Sequence, residues 1–388
     1  MPMFRKVSST LVKDPRILDF SFVPDQLVHR EGQMKMMSAL FSPVLDGPLS
    51  QTAFLLGPVG TGKTCLAQRF CQDFTAAGKG TKAIVYKFVN CRDKRKNITV
   101  MYEVCRTYQP FIGKGYSVSD LLEVLRKDIE KRKIHLIIVL DEVDALVLGD
   151  GPDLIYSLTR FDEGRPGQAG SLSLIMISTK NILNNLDAAT MSTFKSSHII
   201  KFGAYTESEL MDIVRQRVTL SLYPGVMPLK VMEEVARMAS EQGDARRAIE
   251  LIQFATSFAD QEGRSKIAME DLRKAKASIA KVDVEPYIMG LERHKKLALL
   301  GIARNLKKRA AITMGEAQEN YAVACEEVGE KPRSHTQFWK YIQDLSACGV
   351  IDAIQSGRGI QGSTTLISLA ELPANTLIEV LEKDLGLD

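Results

Sequence analysis

Five short apolar runs punctuate the first two hundred positions: TAFLL at 52–56, AIVYKFV at 83–89, LIIVL at 136–140, SLIMIS at 173–178 and HIIKF at 198–202. They carry few charges, as strands buried on both faces should. Between them apolar residues recur at helical spacing, for example over 64–74 and 119–131. Strands alternating with helices predict βαβ units and a parallel sheet, an α/β fold. The pattern changes at Thr206. TESE opens a helix with a hydroxyl cap and early acids, and helical patterns follow at 228–241, 244–262 and 268–281 with no strand run between them. The stretch VDVEPYIMG at 282–290 contains a Pro and a Gly and reads as a link. Beyond it come three helices, at 292–308, 313–328 and 334–348, and a hairpin of 350–355 and 364–369 around SGRGIQGS. Three helices and a Gly-rich hairpin outline a winged helix. The expected divisions are 1–204, 205–285 and 286–388.

Composition narrows this picture only at the margins. With 45% hydrophobic and 25% charged residues the chain has the make-up of a globular protein. A net charge of +4 says little about partners. No run of 18 apolar residues occurs, and the N-terminus lacks the apolar core of a signal peptide, so a cytoplasmic protein with no membrane partner is expected. Six cysteines without a CxxC pair argue against zinc.

Two motifs carry chemistry. GPVGTGKT fills 57–64 with Gly57, Pro58, Val59, Gly60, Thr61, Gly62, Lys63 and Thr64, and fits G-x-x-x-x-G-K-[ST] between a strand and a helix. Its glycines let backbone N–H groups turn inward on phosphates, and the following helix adds the positive end of its dipole. Lys63 reaches the β- and γ-phosphates, and the Thr64 hydroxyl coordinates Mg²⁺. LIIVLDEVD at 136–144 ends a buried strand in Asp141, which would hold the Mg²⁺ shell with Thr64, partly through water. Glu142 is placed to orient or deprotonate the attacking water, and Asp144 to cap the next helix. ATP or ADP with Mg²⁺ is therefore the expected cofactor. Cys65, Arg30, Tyr205 and Arg246 join the expected nucleotide-binding set, Arg246 from GDARR at 243–247, where it would reach the γ-phosphate.

The residues then resemble a family. LVHRE at 27–31, GPVGTGKT, VNCRD at 89–93, VLDEVD at 139–144, LNNLD at 183–187, AYTESEL at 204–210 and GDARRAI at 243–249 are similar to the archaeal origin-recognition initiators. These are relatives of the eukaryotic origin recognition complex and its helicase-loading factor, and the resemblance covers nearly the whole chain. It implies an AAA+ P-loop parallel-sheet base, a helical lid and a C-terminal winged helix. It further implies ATP-regulated binding to double-stranded origin DNA, help in loading the MCM helicase, and association with related initiator subunits. Two departures stand out. Thr179 occupies the strand end where the family carries a γ-phosphate-sensing Asn, with Asn181 two residues on. LDAATMSTFKSS at 186–197 offers Lys195 but no Arg to act on a neighbouring subunit. Slow hydrolysis, with nucleotide as switch more than fuel, is the expectation. The rivals are an ATP-switched DNA-binding regulator without helicase loading and a motor-type AAA+ enzyme, such as a clamp loader or branch-migration helicase.

For DNA, the stretch 286–388 holds 12 Lys and Arg against 13 Asp and Glu, so overall charge argues nothing. Local groups do. Arg333, Ser334, His335 and Thr336 open the third helix, Lys340 follows on a nearby face, and Arg358 sits between two glycines at the hairpin tip, free to enter a minor groove. Trp339 is expected in the core of that helix. Within the ATPase region, PFIGKGYS at 110–117 presents Lys114 where the family carries an insertion that touches DNA.

Overall fold

A sheet of five parallel strands, in the order β2-β3-β4-β1-β5, organises the first unit, Met1–Gln253, of the computed structural model. The structure describes residues 10–47, 49–163, 171–182, 198–307, 309–355, 365–370 and 372–387. Helices α1 (Glu31–Phe41) and α2 (Pro43–Asp46) precede β1 (Thr52–Leu56) and α3 (Lys63–Ala77). Next come β2 (Ala83–Asn90), α4 (Asn97–Cys105), α5 (Val118–Arg132), β3 (Ile134–Asp141), α6 (Val143–Asp150), α7 (Asp153–Thr159), β4 (Ser171–Ser178) and β5 (Ile199–Lys201). Alternation along β3 and β4 sorts their side chains between two cores. Leu136, Ile138 and Leu140 join Leu174 and Met176 under α4 to α7, while Ile137 and Val139 join Ile175, Ile177 and the α3 residues Leu66 and Phe70. A sheet covered on both faces leaves its carboxyl edge as the natural crevice for a ligand. β1 and β3 flank β4, so the loop after β1 and the acidic end of β3 open on the same edge.

Three helices follow in sequence: α8 (Glu207–Ser221), α9 (Leu229–Ser240) and α10 (Ala245–Gln261). Thr206 and Glu209 close a full capping box on α8, as TESE predicts.

The second unit, Phe254–Asp388, begins within α10. It contains α11 (Met269–Met289), α12 (Arg293–Leu306), β6 (Ile312–Thr313), α13 (Met314–Glu327), α14 (His335–Ala347), β7 (Ile351–Gln355), β8 (Thr365–Leu369) and α15 (Ala374–Leu385). β8 lies between β6 and β7, antiparallel to both. Three helices with this small sheet make a winged helix, to which β6 and α15 are additions that the sequence pattern had not suggested.

Two expectations fail here for physical reasons. The 282–290 stretch is not a link: α11 runs through it, Pro286 included. An interior Pro costs a helix about 3 kcal/mol. Val284 and Ile288 are buried in the winged-helix core, and full burial of two such side chains contributes about 1.5–3 kcal/mol each. Trp339 is not core either, being 46% exposed. The inner face of α14 carries Phe338, Tyr341, Ile342 and Leu345, and helical phase turns position 339 away from it.

Candidate functional site

The loop between β1 and α3 is built around two positive-φ glycines, Gly60 at 70° and Gly62 at 88°. At Gly60 a Cβ would lie 1.6 Å from Asp244 Oδ1, and at Gly62 one would lie 2.8 Å from the Tyr205 hydroxyl. Only glycine meets both the conformation and the space. The start of α10 leans on this loop. Ala245 N donates to Gly60 O (3.1 Å), and Arg246 N donates to Asp244 Oδ1 (2.7 Å).

Lys63 is buried, and its ammonium donates to the carbonyls of Gly57 (2.7 Å) and Pro58 (2.6 Å). Burial pulls its pKa down from 10.5 to about 8, against the attraction of Asp141. The Thr64 hydroxyl donates to Asp141 Oδ2 (2.8 Å), and Glu142 N donates to Oδ1 (2.9 Å). Burial raises the Asp141 pKa in spite of those two bonds. Glu142 is one of three non-glycine residues at positive φ among those described, at 53°. Its carboxylate lies 3.5 Å from the Arg92 guanidinium. Asp144 does not cap α6, whose N-cap is Glu142; it lies within the first turn, and its Oδ1 accepts from Ser178 Oγ (2.8 Å), tying the end of β4 to α6.

A cavity of about 510 Å³ spans these groups, a size typical of small-molecule sites. Val59, Gly60, Thr61, Gly62, Lys63, Thr64 and Cys65 line it, as do Asp141, Glu142, Tyr205 and Arg246. Gly57 and Pro58 lie outside the lining, and their carbonyls accept from Lys63. Burial pushes the Cys65 thiol up to about 11, so it stays protonated near neutrality. Thr179 lines the cavity beside Lys180, a cation that the family pattern had not flagged.

Arg30 departs from expectation. It is buried behind the loop and absent from the cavity wall. Its donors are taken by the carbonyls of Thr61 (2.9 Å), His29 (2.9 Å) and Gly203 (3.0 Å), and the Tyr205 ring lies 3.8 Å from its guanidinium carbon. With its donors committed to backbone, it supports the phosphate loop from behind. The opposite end of the cavity was also missed. Phe20, Phe22, Pro24, Leu27 and Val28, from the segment before α1, face Ile213, Gln216 and Arg217 of α8. The only hint was a pair of alternate aromatics and a Pro ahead of LVHRE.

In the winged helix, Arg333, Ser334, His335, Thr336 and Lys340 are all exposed along the start of α14. Arg333 is engaged: its Nε donates to His294 Nε2 (3.1 Å), and its backbone N–H donates to the Tyr321 hydroxyl (3.1 Å). Lys114 is exposed in the loop between α4 and α5, beside Phe111, which is 99% exposed. Arg358, Lys195 and the LNNLD segment lie outside the described residues.

A phosphate loop on a parallel sheet, an acidic strand end beside it and a helical lid, followed in the chain by a winged helix, define an AAA+ ATPase with a C-terminal winged-helix domain, and hence a nucleotide-binding protein. Family models agree. "AAA domain" matches 50–186, "Cdc6 AAA+ ATPase-type lid domain" matches 211–277, and "CDC6, C terminal winged helix domain" matches 287–377. The ORC1-type DNA replication protein 2 of Sulfurisphaera tokodaii is 31% identical over 380 residues, spanning 93% of this chain and 90% of that protein. The ORC1-type DNA replication protein 1 of the same organism is 29% identical, spanning 97% and 94%. Among solved structures, the Aeropyrum pernix ORC1 protein in complex with DNA superposes with a TM-score of 0.76 at 27% identity, covering 97% of this chain and 98% of that one. Cdc6p of Pyrobaculum aerophilum superposes at 0.62 with 29% identity, covering 97% and 99%. The chain belongs to the ORC1-type family of DNA replication proteins. Among the described residues no helix is long and apolar enough to cross a membrane.

Proposed function

We propose that this protein is an ATP-switched replication initiator that binds origin duplex DNA and recruits the MCM helicase. Its working parts would be a base over 1–204, a lid over 205–285 and a winged-helix reader over 286–388. The observation that carries the nucleotide half is the packing of the phosphate loop directly on the start of α10, through Gly60, Asp244 and Ala245. Whatever fills the loop is felt at once by a lid helix. Mg·ATP fits the groups present. A buried lysine supplies donors, and a hydroxyl paired with a desolvated carboxylate is the hard-oxygen set that Mg²⁺ takes. Lys63 would turn its ammonium from the Gly57 and Pro58 carbonyls to phosphate oxygens. Thr64 and Asp141 would hold the metal, and Arg246 would meet the γ-phosphate from the lid. Glu142 would take the proton of the attacking water. When bound, ATP supplies a phosphoanhydride whose cleavage resets the switch. Thr179 in the sensor position supports slow turnover.

The DNA half is supported by family membership and by the exposed polar start of α14. The A. pernix ORC1 relative was solved in complex with DNA. Mapping of bound sites in the parent organism is expected to place the protein at replication starts, with MCM helicase co-purifying. Occupancy confined to promoters, without helicase, would identify the regulator instead.

Trp339 makes the reader testable in solution, because it is the sole tryptophan and lies exposed on α14. Adding duplex should quench its emission as the indole meets sugar or base, and salt should reverse the effect. Unchanged emission, while labelled duplex shows binding by anisotropy, would remove α14 from the interface.

A further inference from the structure

Resting on the nucleotide reading above, we propose that Arg217 is a positioning residue for the nucleotide base, fixing the segment that walls the base end of the cavity. That segment, 10–30, is strapped along α8. At one end Lys13 N (2.7 Å) and Asp14 N (3.1 Å) donate to Ser221 O, and Tyr223 N donates to Leu11 O (3.1 Å). At the other, Gln216 Nε2 donates to Gln26 O (3.0 Å), and His29 Nε2 meets Asp212 Oδ2 (2.9 Å). Between these anchors lie Phe20, Phe22 and Pro24, the residues that close the cavity.

Arg217 holds this middle. It is 6% exposed, its Nη1 donates to Ile17 O (2.9 Å), its Nη2 donates to Phe22 O (3.3 Å), and its guanidinium carbon lies 4.9 Å from the Phe22 ring centroid. Among the described residues, the other hydrogen bonds of the 15–24 stretch stay within 14–24, Arg16 and Ile17 bonding Asp14 and Ser21 bonding Asp19. Nor does Arg217 pair with a carboxylate there; burial alone pushes its pKa down. A buried cation without a counter-ion is costly to keep. This one is spent on two strap carbonyls and one aromatic face at the cavity wall. It also lines the cavity itself, beside Ile213 and Gln216. The phosphate loop has its own buried arginine in Arg30, so the two ends of the site are braced separately.

Separate bracing gives a split readout. Arg217→Met keeps the length of the stem and removes every donor. In calorimetry on the full chain, its affinity for Mg·ADP and Mg·ATP should fall tenfold or more, while inorganic tripolyphosphate, which lacks a base, should bind within twofold of wild type. Arg217→Lys, able to serve one carbonyl, should recover part of the nucleotide affinity. Unchanged nucleotide affinity in Arg217→Met overturns the proposal. So does an equal loss for nucleotide and tripolyphosphate, which would mean general damage to the fold. If Arg217→Met does not fold, Arg217→Lys decides alone, by whether the ratio of nucleotide to tripolyphosphate affinity drops. A wild-type chain that takes up neither ligand sinks the nucleotide reading itself, and this proposal with it.

Discussion

Lys63→Ala is expected to lower the affinity for Mg·ATP by about 10²–10⁴-fold. A hydrogen bond to a charged group contributes about 1.5–3 kcal/mol, two such bonds to phosphate are lost, and 1.4 kcal/mol is a factor of ten. The fold should tolerate the change, because the ammonium sits desolvated against carbonyls with its pKa drawn down to about 8. That pKa gives a second signature. Below pH 8 the free protein already carries the proton that phosphate requires, so affinity should be flat. Above pH 8 the proton must be taken up on binding, and affinity should fall by up to about tenfold per pH unit. Calorimetry in buffers of different ionisation heat would show that uptake directly. Lys63→Arg, charged at every pH in the range, should abolish the slope. A wild-type affinity that stays level from pH 7 to 9.5 would remove Lys63 from the phosphate contact.

What could be read from residues alone follows from the range over which each feature is determined. The phosphate loop is local: its glycines, lysine and threonine are set by backbone geometry within eight positions, so spacing alone announces it. Asp141 and Glu142 were legible because a strand buried on both faces can end in acids only where water or a ligand meets them. The base-end wall was not legible, because it is an irregular strap whose clamp, Arg217, comes from 200 positions further along the chain. Arg30 looked like a ligand-facing cation, and only the carbonyls converging on it reveal a brace. Local signals also misled where tertiary burial outweighs them. Pro286 and Gly290 read as a break, yet Val284 and Ile288 have a core to enter. The failure at Trp339 is one of phase: its neighbour Phe338 is fully buried, and a step of one residue turns a side chain about 100° around the helix. The missed α15 was readable, since Leu377, Leu381 and Leu385 recur every four residues and are all buried.

Glu142→Gln is expected to cut turnover by about 10²–10⁴-fold, the usual range for removing a general base. Nucleotide affinity should stay nearly unchanged, because Lys63 bonds the Gly57 and Pro58 carbonyls and Thr64 bonds Asp141, while Glu142 has Arg92 as its ionic partner. That partner explains how the carboxylate is kept in place when no water is being activated, and Arg92→Ala should alter turnover without touching affinity. The backbone offers an independent check. Glu142 is held at φ 53° and ψ 44°, a left-handed conformation that costs a non-glycine residue about 1–2 kcal/mol. Such strain survives where the surroundings impose it for a purpose. Glu142→Gly removes both the base and the strain, so it should lose turnover as Glu142→Gln does and yet melt at a higher temperature than wild type. Stability and activity would then move in opposite directions at a single residue. If Glu142→Gln hydrolyses ATP at the wild-type rate, the base is elsewhere, and the strained corner after Asp141 serves only to turn the chain into α6.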